Sequence, residues 1–174
     1  MRVIAGEFRS RRLKSAPGLD TRPTPDRLRE TLFNVLSSRI EGAVFVDAYA
    51  GTGAVGIEAL SRGASRAVFL ERARAALHVL RENLASLGLD ARAEVLTGRA
   101  SIELSRVDAD IVFLDPPYAM EKEYETALAA LGAKPPRLVV VQHSTRYDPG
   151  DAHGALKRTR VLRQGDNALS FYSK

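Results

Sequence analysis

Two short stretches of the 174-residue chain carry side chains whose types and spacing can do chemistry, and a third carries a concentration of charge. The first is Asp115-Pro116-Pro117-Tyr118, which directly follows the apolar run Ile111-Val112-Phe113-Leu114. Consecutive prolines hold φ at about −65° and have no N–H to donate, so this turn is stiff and presents carbonyl oxygens. A carboxylate, a carbonyl and an aromatic ring in that order match a planar base bearing an amino group. The two N–H groups of such an amine find acceptors in the Asp115 side chain and the Pro116 carbonyl. Accepting both draws the nitrogen lone pair out of conjugation with the ring and makes the nitrogen more nucleophilic. Tyr118 offers a stacking face, worth about 1–3 kcal/mol for one base.

The second stretch is Gly51-Thr52-Gly53-Ala54-Val55-Gly56, a G-x-G-x-x-G preceded by Asp47 and followed at a distance by Glu71. Taken alone this is the dinucleotide fingerprint of a nicotinamide enzyme. Asp47 decides otherwise. A dinucleotide lays its anionic pyrophosphate over this loop, where an adjacent carboxylate repels it. S-adenosylmethionine has no phosphate and carries an ammonium and a sulfonium, which a carboxylate attracts. Glu71 is then placed to accept hydrogen bonds from the ribose diol. The expected cofactor set is Asp47, Ala48, Gly51, Thr52, Gly53, Glu71, Arg72, Arg99 and Ala100.

The third stretch is the basic amino terminus. Arg2, Arg9, Arg11, Arg12, Lys14 and Arg22 face only two acids, Glu7 and Asp20, over residues 1–22. So many charges in one short segment are the expected footprint of a phosphate-tracking arm, extended by Thr24 and Arg27. Nucleic acid is the partner expected from that distribution.

The elements that must position these groups follow from periodicity. Residues 2–14 are expected as a short hairpin broken at Gly6, with residues 15–20 as a loop. A helix is expected from Thr24 as N-cap, with Pro25 in its first position, down to about Ser38; Leu28, Leu32, Val35 and Leu36 form its buried stripe. From residue 43 strands alternate with helices: strands at 43–46, 66–70, 94–96, 110–114 and 137–141, helices after the glycine loop and at 73–87 and 121–131. That alternation implies parallel strands with crossover helices, an α/β doubly wound sheet. Residues 156–163 and 168–172 read as an antiparallel hairpin closing the chain. Asp47, Glu71 and Asp115 each stand just beyond a predicted strand, on the rim where open α/β sheets bind ligands.

Composition narrows the classes further. The chain is 45% hydrophobic and 27% charged, with a net charge of +5, so one domain with one core is expected over 1–174, comprising a 1–22 extension and a 23–174 catalytic core. There is no cysteine, which excludes disulfides, thiolate catalysis and zinc sites built on Cys. The three histidines, His78, His143 and His153, are scattered; no metal is expected, and each is expected on a surface or helix face. No membrane span or secretory signal is evident, so a cytoplasmic protein is expected, and a monomer.

The DPPY turn after an apolar strand is similar to that of the methyltransferases acting on exocyclic nitrogens of adenine or guanine. Joined to Thr21-Arg22-Pro23-Thr24-Pro25-Asp26-Arg27-Leu28-Arg29-Glu30-Thr31-Leu32-Phe33-Asn34, to the opening Arg2-Val3-Ile4-Ala5-Gly6 and to Ala50 through Ala64, it resembles the RsmD-type family of small-subunit ribosomal RNA guanine-N2 methyltransferases. The resemblance runs from Arg2 to about Tyr172. It implies a Rossmann-like class I fold, S-adenosyl-L-methionine as cofactor, and 16S ribosomal RNA or the assembling small subunit as partner. It also implies Asp115, Pro116, Pro117 and Tyr118 as the catalytic turn around a flipped or splayed guanine. Three departures stand out. Thr97-Gly98-Arg99-Ala100 lacks the family's acid after the third strand, leaving adenine recognition to backbone around Ala100. Gln142, followed by His143, stands where the family tends to carry Glu. Tyr49 replaces the usual Phe. Adenine-N6 methylation, a non-catalytic RNA-binding scaffold and a nicotinamide oxidoreductase are the rival expectations.

Overall fold

The computed structural model describes residues 1–15 and 25–174. Eight strands form one sheet in the order β3-β2-β1-β4-β5-β8-β7-β6. The first five are parallel: β1 (Val44–Asp47), β2 (Arg66–Glu71), β3 (Ala93–Thr97), β4 (Ile111–Leu114) and β5 (Leu138–Ser144). β8 (Asn167–Ser173) runs antiparallel beside β5, and β7 (Leu156–Gln164) and β6 (Ala152–His153) complete that edge. The doubly wound α/β class with an antiparallel C-terminal hairpin is therefore present.

Side chains alternate across each strand, so the sheet sorts its apolar residues onto two faces. Phe45, Phe69, Phe113 and Val140 pack on one face beneath α1 (Asp26–Leu36), α2 (Ala54–Ser61) and α3 (Arg74–Ser86). Val46, Val68, Val112, Val139 and Val141 face the opposite side, beneath α4 (Ala100–Glu103) and α5 (Glu121–Ala133). Strands covered on both faces must be apolar throughout, which is why β4 and most of β5 read as unbroken hydrophobic runs.

The elements differ from expectation in identifiable ways. Pro25 occupies the cap position of α1 with ψ 138°, and the helix opens at Asp26 and ends at Leu36, two residues before Ser38. Thr24, Arg22 and the loop 16–20 lie outside the described residues. The short helix α4 and strand β6 have no counterpart in the sequence pattern; neither is long enough to show a period. The amino-terminal hairpin has a single bridge, Arg2 to Arg12, rather than two strands. His143 is in the core: it accepts from Ser170 Oγ at 2.8 Å through Nε2 and donates from Nδ1 to the Ser144 carbonyl at 2.9 Å. Burial, the largest cause, lowers its pKa and so favours the neutral ring. His78 is exposed on α3, as expected.

The basic hairpin is anchored more firmly than its charge implies. Glu58, fully buried on α2, accepts Ile4 N–H at 2.8 Å and Ala5 N–H at 3.0 Å. Ser61 accepts Phe8 N–H at 2.9 Å and donates to the Ala5 carbonyl at 2.6 Å. Gly6, at φ +83°, rests so close to α2 that a Cβ there would sit 1.8 Å from the Ser61 carbonyl oxygen. Val3 and Leu13 are buried in the core. The buried Arg29 holds the Arg2 carbonyl at 2.6 Å. The hairpin is part of the folded body, with its basic side chains outward.

Candidate active site

β1 is hydrogen-bonded to β2 on one side and β4 on the other, so the strand order reverses there and opens a crevice at the strands' carboxyl ends. A cavity of about 730 Å³ fills that crevice, within the usual size of a small-molecule site. Asp47, Ala48, Gly51, Thr52, Glu71, Arg72, Ala100, Asp115, Pro116, Pro117 and Tyr118 line it, each expected from sequence. Met1, Ser15, Tyr49, Gly98 and Gln142 join them.

Two expected cofactor residues stand elsewhere. Arg99 is exposed and off the lining; its backbone caps α4, and the cavity meets its neighbours Gly98 and Ala100 instead. Long, charged and at the start of a helix, its side chain gains more from water than from a cavity wall. Gly53 is also off the lining. At φ +86° it shapes the turn into α2, and a Cβ there would meet Leu80 at 2.3 Å.

The three rim carboxylates differ in environment. Asp47 is fully buried, and its Oδ2 accepts the Gly56 N–H at 2.9 Å, which joins the end of β1 to the first turn of α2. Burial pushes its pKa up to about 7; the Gly56 hydrogen bond opposes this, and the charges of Asp115 and Glu71 add to it. Glu71 accepts three backbone N–H groups, from Gly51, Arg72 and Ala73, each at 2.8 Å. It thereby sets the first glycine of the loop against the end of β2. Of roughly four lone-pair positions on a carboxylate, one is left for a hydroxyl donor. Asp115 is half-buried at the start of the proline turn.

That turn is braced from behind by Tyr124, a residue the sequence pattern does not single out. Buried on α5, it places its hydroxyl 3.2 Å from the Pro116 carbonyl and 3.1 Å from the Gln142 carbonyl. Burial, the largest cause, raises its pKa, as do Asp115 and neighbouring tyrosines, so the hydroxyl stays protonated and can donate. In front of the turn, the Tyr118 hydroxyl donates to Asn167 Oδ1 at 2.6 Å. Tyr49 reaches across the cavity mouth to Glu123 at 3.0 Å.

Asn83 is a second residue behind the site that is absent from the sequence expectations. It is buried on α3, accepts the Lys14 N–H at 2.8 Å, and donates from Nδ2 to the carbonyls of Lys14 at 3.2 Å and Thr52 at 3.0 Å. A polar residue on the stripe made by Leu77, Leu80, Leu84 and Leu87 is its visible signal. Among the basic residues, Arg2, Arg9, Arg11, Arg12, Lys14 and Arg27 are exposed. Lys14 pairs with Glu82 at 3.0 Å and Arg11 donates to the Ser86 carbonyl at 3.1 Å. No group of three or more potential metal ligands occurs among the described residues, and none of their helices is long and apolar enough to cross a membrane.

Residues 1–173 match the family model described as conserved hypothetical protein 95. YlbH of Bacillus subtilis is 32% identical over 100% of this chain and 99% of its own length. Ribosomal RNA small subunit methyltransferase D of Escherichia coli strain K12 is 44% identical over 122 residues, spanning 68% of this chain and 60% of that protein. The solved structure of yhhF from Escherichia coli superposes with a TM-score of 0.83 at 34% identity, covering 100% of this chain and 97% of that one.

Proposed function

The chain belongs to the RsmD family, and from that premise we propose that it transfers a methyl group from S-adenosylmethionine to the exocyclic N2 amine of a guanine in small-subunit ribosomal RNA. The observation that carries this is one cavity lined both by the glycine loop with its two carboxylates and by the DPPY turn. A cofactor half and a base half share a single space.

The residues present fit this cofactor. Asp47, Glu71 and Asp115 make the cavity wall acidic, which suits an ammonium and a sulfonium and opposes a pyrophosphate. Asp47 takes the cationic end of the ligand, and Glu71, with its remaining acceptor position, takes the ribose. Backbone groups at Gly98 and Ala100 border the adenine end. S-adenosylmethionine, when bound, supplies a methyl carbon made electrophilic by the adjoining sulfonium.

At the other half, Asp115 and the Pro116 carbonyl accept the two N–H bonds of the target amine and aim its lone pair. The Pro116 carbonyl already meets Tyr124, and its second lone pair serves the base. Tyr118 stacks against the base. With the amine held there, Asp115 and the Pro116 carbonyl would aim its lone pair at the methyl group that the cofactor would supply, and the methylated amine, being acidic, would give up its proton afterwards. Alignment and exclusion of water supply most of the rate, and no strong base is required. The outward-facing Arg9, Arg11 and Arg12, with Arg2 and Arg27, are assigned to RNA phosphates, where guanidinium forks suit the acceptor.

The test is to incubate the protein with methyl-labelled S-adenosylmethionine and small-subunit RNA, naked and in particles, from cells lacking this methylation. Mass mapping of the nucleosides is expected to find N2-methylguanosine. N6-methyladenosine would move the reaction to adenine, and no transfer to either substrate would favour a non-catalytic RNA-binding scaffold.

A further inference from the structure

Gln142 is the one buried side chain among the described residues whose oxygen has no hydrogen-bond partner. It lines the cavity from β5, and β5 lies beside β4, which leads into the DPPY turn. The Tyr124 hydroxyl lies within hydrogen-bond reach of both the Pro116 and Gln142 carbonyls, which brings Gln142 alongside the turn. A buried amide oxygen left unpaired costs about 1–3 kcal/mol, and a site that retains one has a use for an incoming donor.

The neighbouring hydrogen bonds set which end of the amide is left without a partner. Tyr118 has one hydroxyl proton, and Asn167 Oδ1 takes it at 2.6 Å. The Tyr118 oxygen can then accept but not donate toward Gln142, and Gln142 Nε2, a donor, lies 3.5 Å away. With the NH2 end directed at Tyr118, Oε1 is the end left over. The relay Gln142–Tyr118–Asn167 therefore leaves a buried acceptor, not a donor, unpaired on a residue that lines the base half of the cavity.

We propose that Gln142 is a specificity-determining residue that accepts the N1–H of the target guanine and so distinguishes it from adenine. Guanine carries N1–H next to its N2 amine, whereas adenine carries a bare N1 acceptor next to its N6 amine. An amine held by Asp115 and Pro116 brings the neighbouring ring position toward Gln142. Guanine supplies the missing donor there; adenine sets acceptor against acceptor. Asn167, through Tyr118, is a positioning residue for this choice. This inference rests on the guanine-N2 reading above and adds the group that reads the purine.

The experiment uses an RNA fragment with guanine or 2-aminopurine at the methylated position. The analogue keeps the N2 amine but has no N1–H. Wild-type protein is expected to favour guanine in kcat/KM by about tenfold to hundredfold. Gln142→Met should bring the ratio to within about threefold, while Gln142→Glu, which keeps an acceptor, should preserve the preference. Asn167→Leu, with Gln142 intact, should also narrow it. Equal losses on both bases in Gln142→Met would overturn the proposal in favour of a structural role. Loss of preference in Gln142→Glu would overturn it by showing that an acceptor at this position does not suffice, and an unchanged ratio in Asn167→Leu would overturn the relay. N6-methyladenosine as the wild-type product would overturn the guanine reading itself, and this inference with it.

Discussion

The side-chain amide of Asn83 donates to the carbonyl of Thr52, 3.0 Å away, while the same side chain clasps the backbone of Lys14 on both its N–H and its C=O. One buried residue thus ties the glycine loop to the base of the basic hairpin. Met1 and Ser15, the two ends of the described hairpin segment, line the same cavity as the loop. The surface assigned to RNA and the loop assigned to the cofactor are parts of one hydrogen-bonded unit.

Asn83→Leu is therefore expected to lower stability by about 2–4 kcal/mol, since it leaves backbone groups of Lys14 and Thr52 unpaired in a buried setting. It should also weaken S-adenosylmethionine. Denaturant unfolding beside cofactor titration measures both. A stability change under about 0.5 kcal/mol would show that water replaces the amide without cost.

Asp115→Ala is expected to reduce methyl transfer by about 10²–10³-fold, the scale of removing one group that touches a reacting centre. Cofactor affinity should stay within a few-fold, because the proposed partner of Asp115 is the base. A radiolabelled transfer assay with calorimetric cofactor titration separates the two. Full activity in the variant would remove Asp115 from the reaction.

Glu71→Ala should weaken S-adenosylmethionine by about tenfold to hundredfold, the loss of a charged hydrogen bond of about 1.5–3 kcal/mol. Part of that loss comes through the loop, because Glu71 also holds Gly51, Arg72 and Ala73. The deoxyribose analogue of the cofactor isolates the direct part: it should bind wild type less tightly than the natural cofactor does, whereas Glu71→Ala should bind the two equally.

Cofactor binding should tighten as pH rises through about 7. Asp47 in the ligand-free fold titrates at about 7, raised from 3.8 chiefly by burial, whereas a cation beside it favours the ionised form. Binding below pH 7 then releases a proton, visible as a buffer-dependent calorimetric enthalpy. The sign for stability is the reverse. A carboxyl whose folded pKa is raised contributes stability that is present below about 4 and lost progressively as pH climbs to about 7. Asp47→Asn should flatten both dependences, and an unaltered pH profile in that variant would assign the titration to another group.

Charge reversal of Arg9 and Arg12 is expected to weaken RNA binding and lower the magnitude of the log–log salt slope by about 0.7–0.9 for each phosphate no longer neutralised. S-adenosylmethionine affinity should not move. Point changes are the clean test, because removing the hairpin would also strip Val3 and Leu13 from the core and free Glu58 and Asn83. Unchanged RNA affinity and slope would return these arginines to a solvated surface.

Local pattern alone determined a large part of this protein. The strands at Val44–Asp47, Ile111–Leu114 and Asn167–Ser173 were legible because apolar runs between turn residues report burial directly. Asp47, Glu71 and Asp115 were legible as a group because each stands at or just after the end of a parallel strand, and parallel strands bring their carboxyl ends to one rim. At Arg99 the sequence puts a backbone near the cavity without saying where a long side chain goes; Gly98 and Ala100 line the cavity and Arg99 does not. Tyr124, Asn83 and the Gln142–Tyr118–Asn167 relay were decided only by the tertiary fold. Their hydrogen bonds join residues 8, 69, 24 and 49 positions apart, and no local periodicity encodes pairings of that reach. Sequence sets which groups can do chemistry at the rim; long-range packing behind it decides which way those groups point, because a buried polar side chain must take whatever partner the neighbouring elements bring.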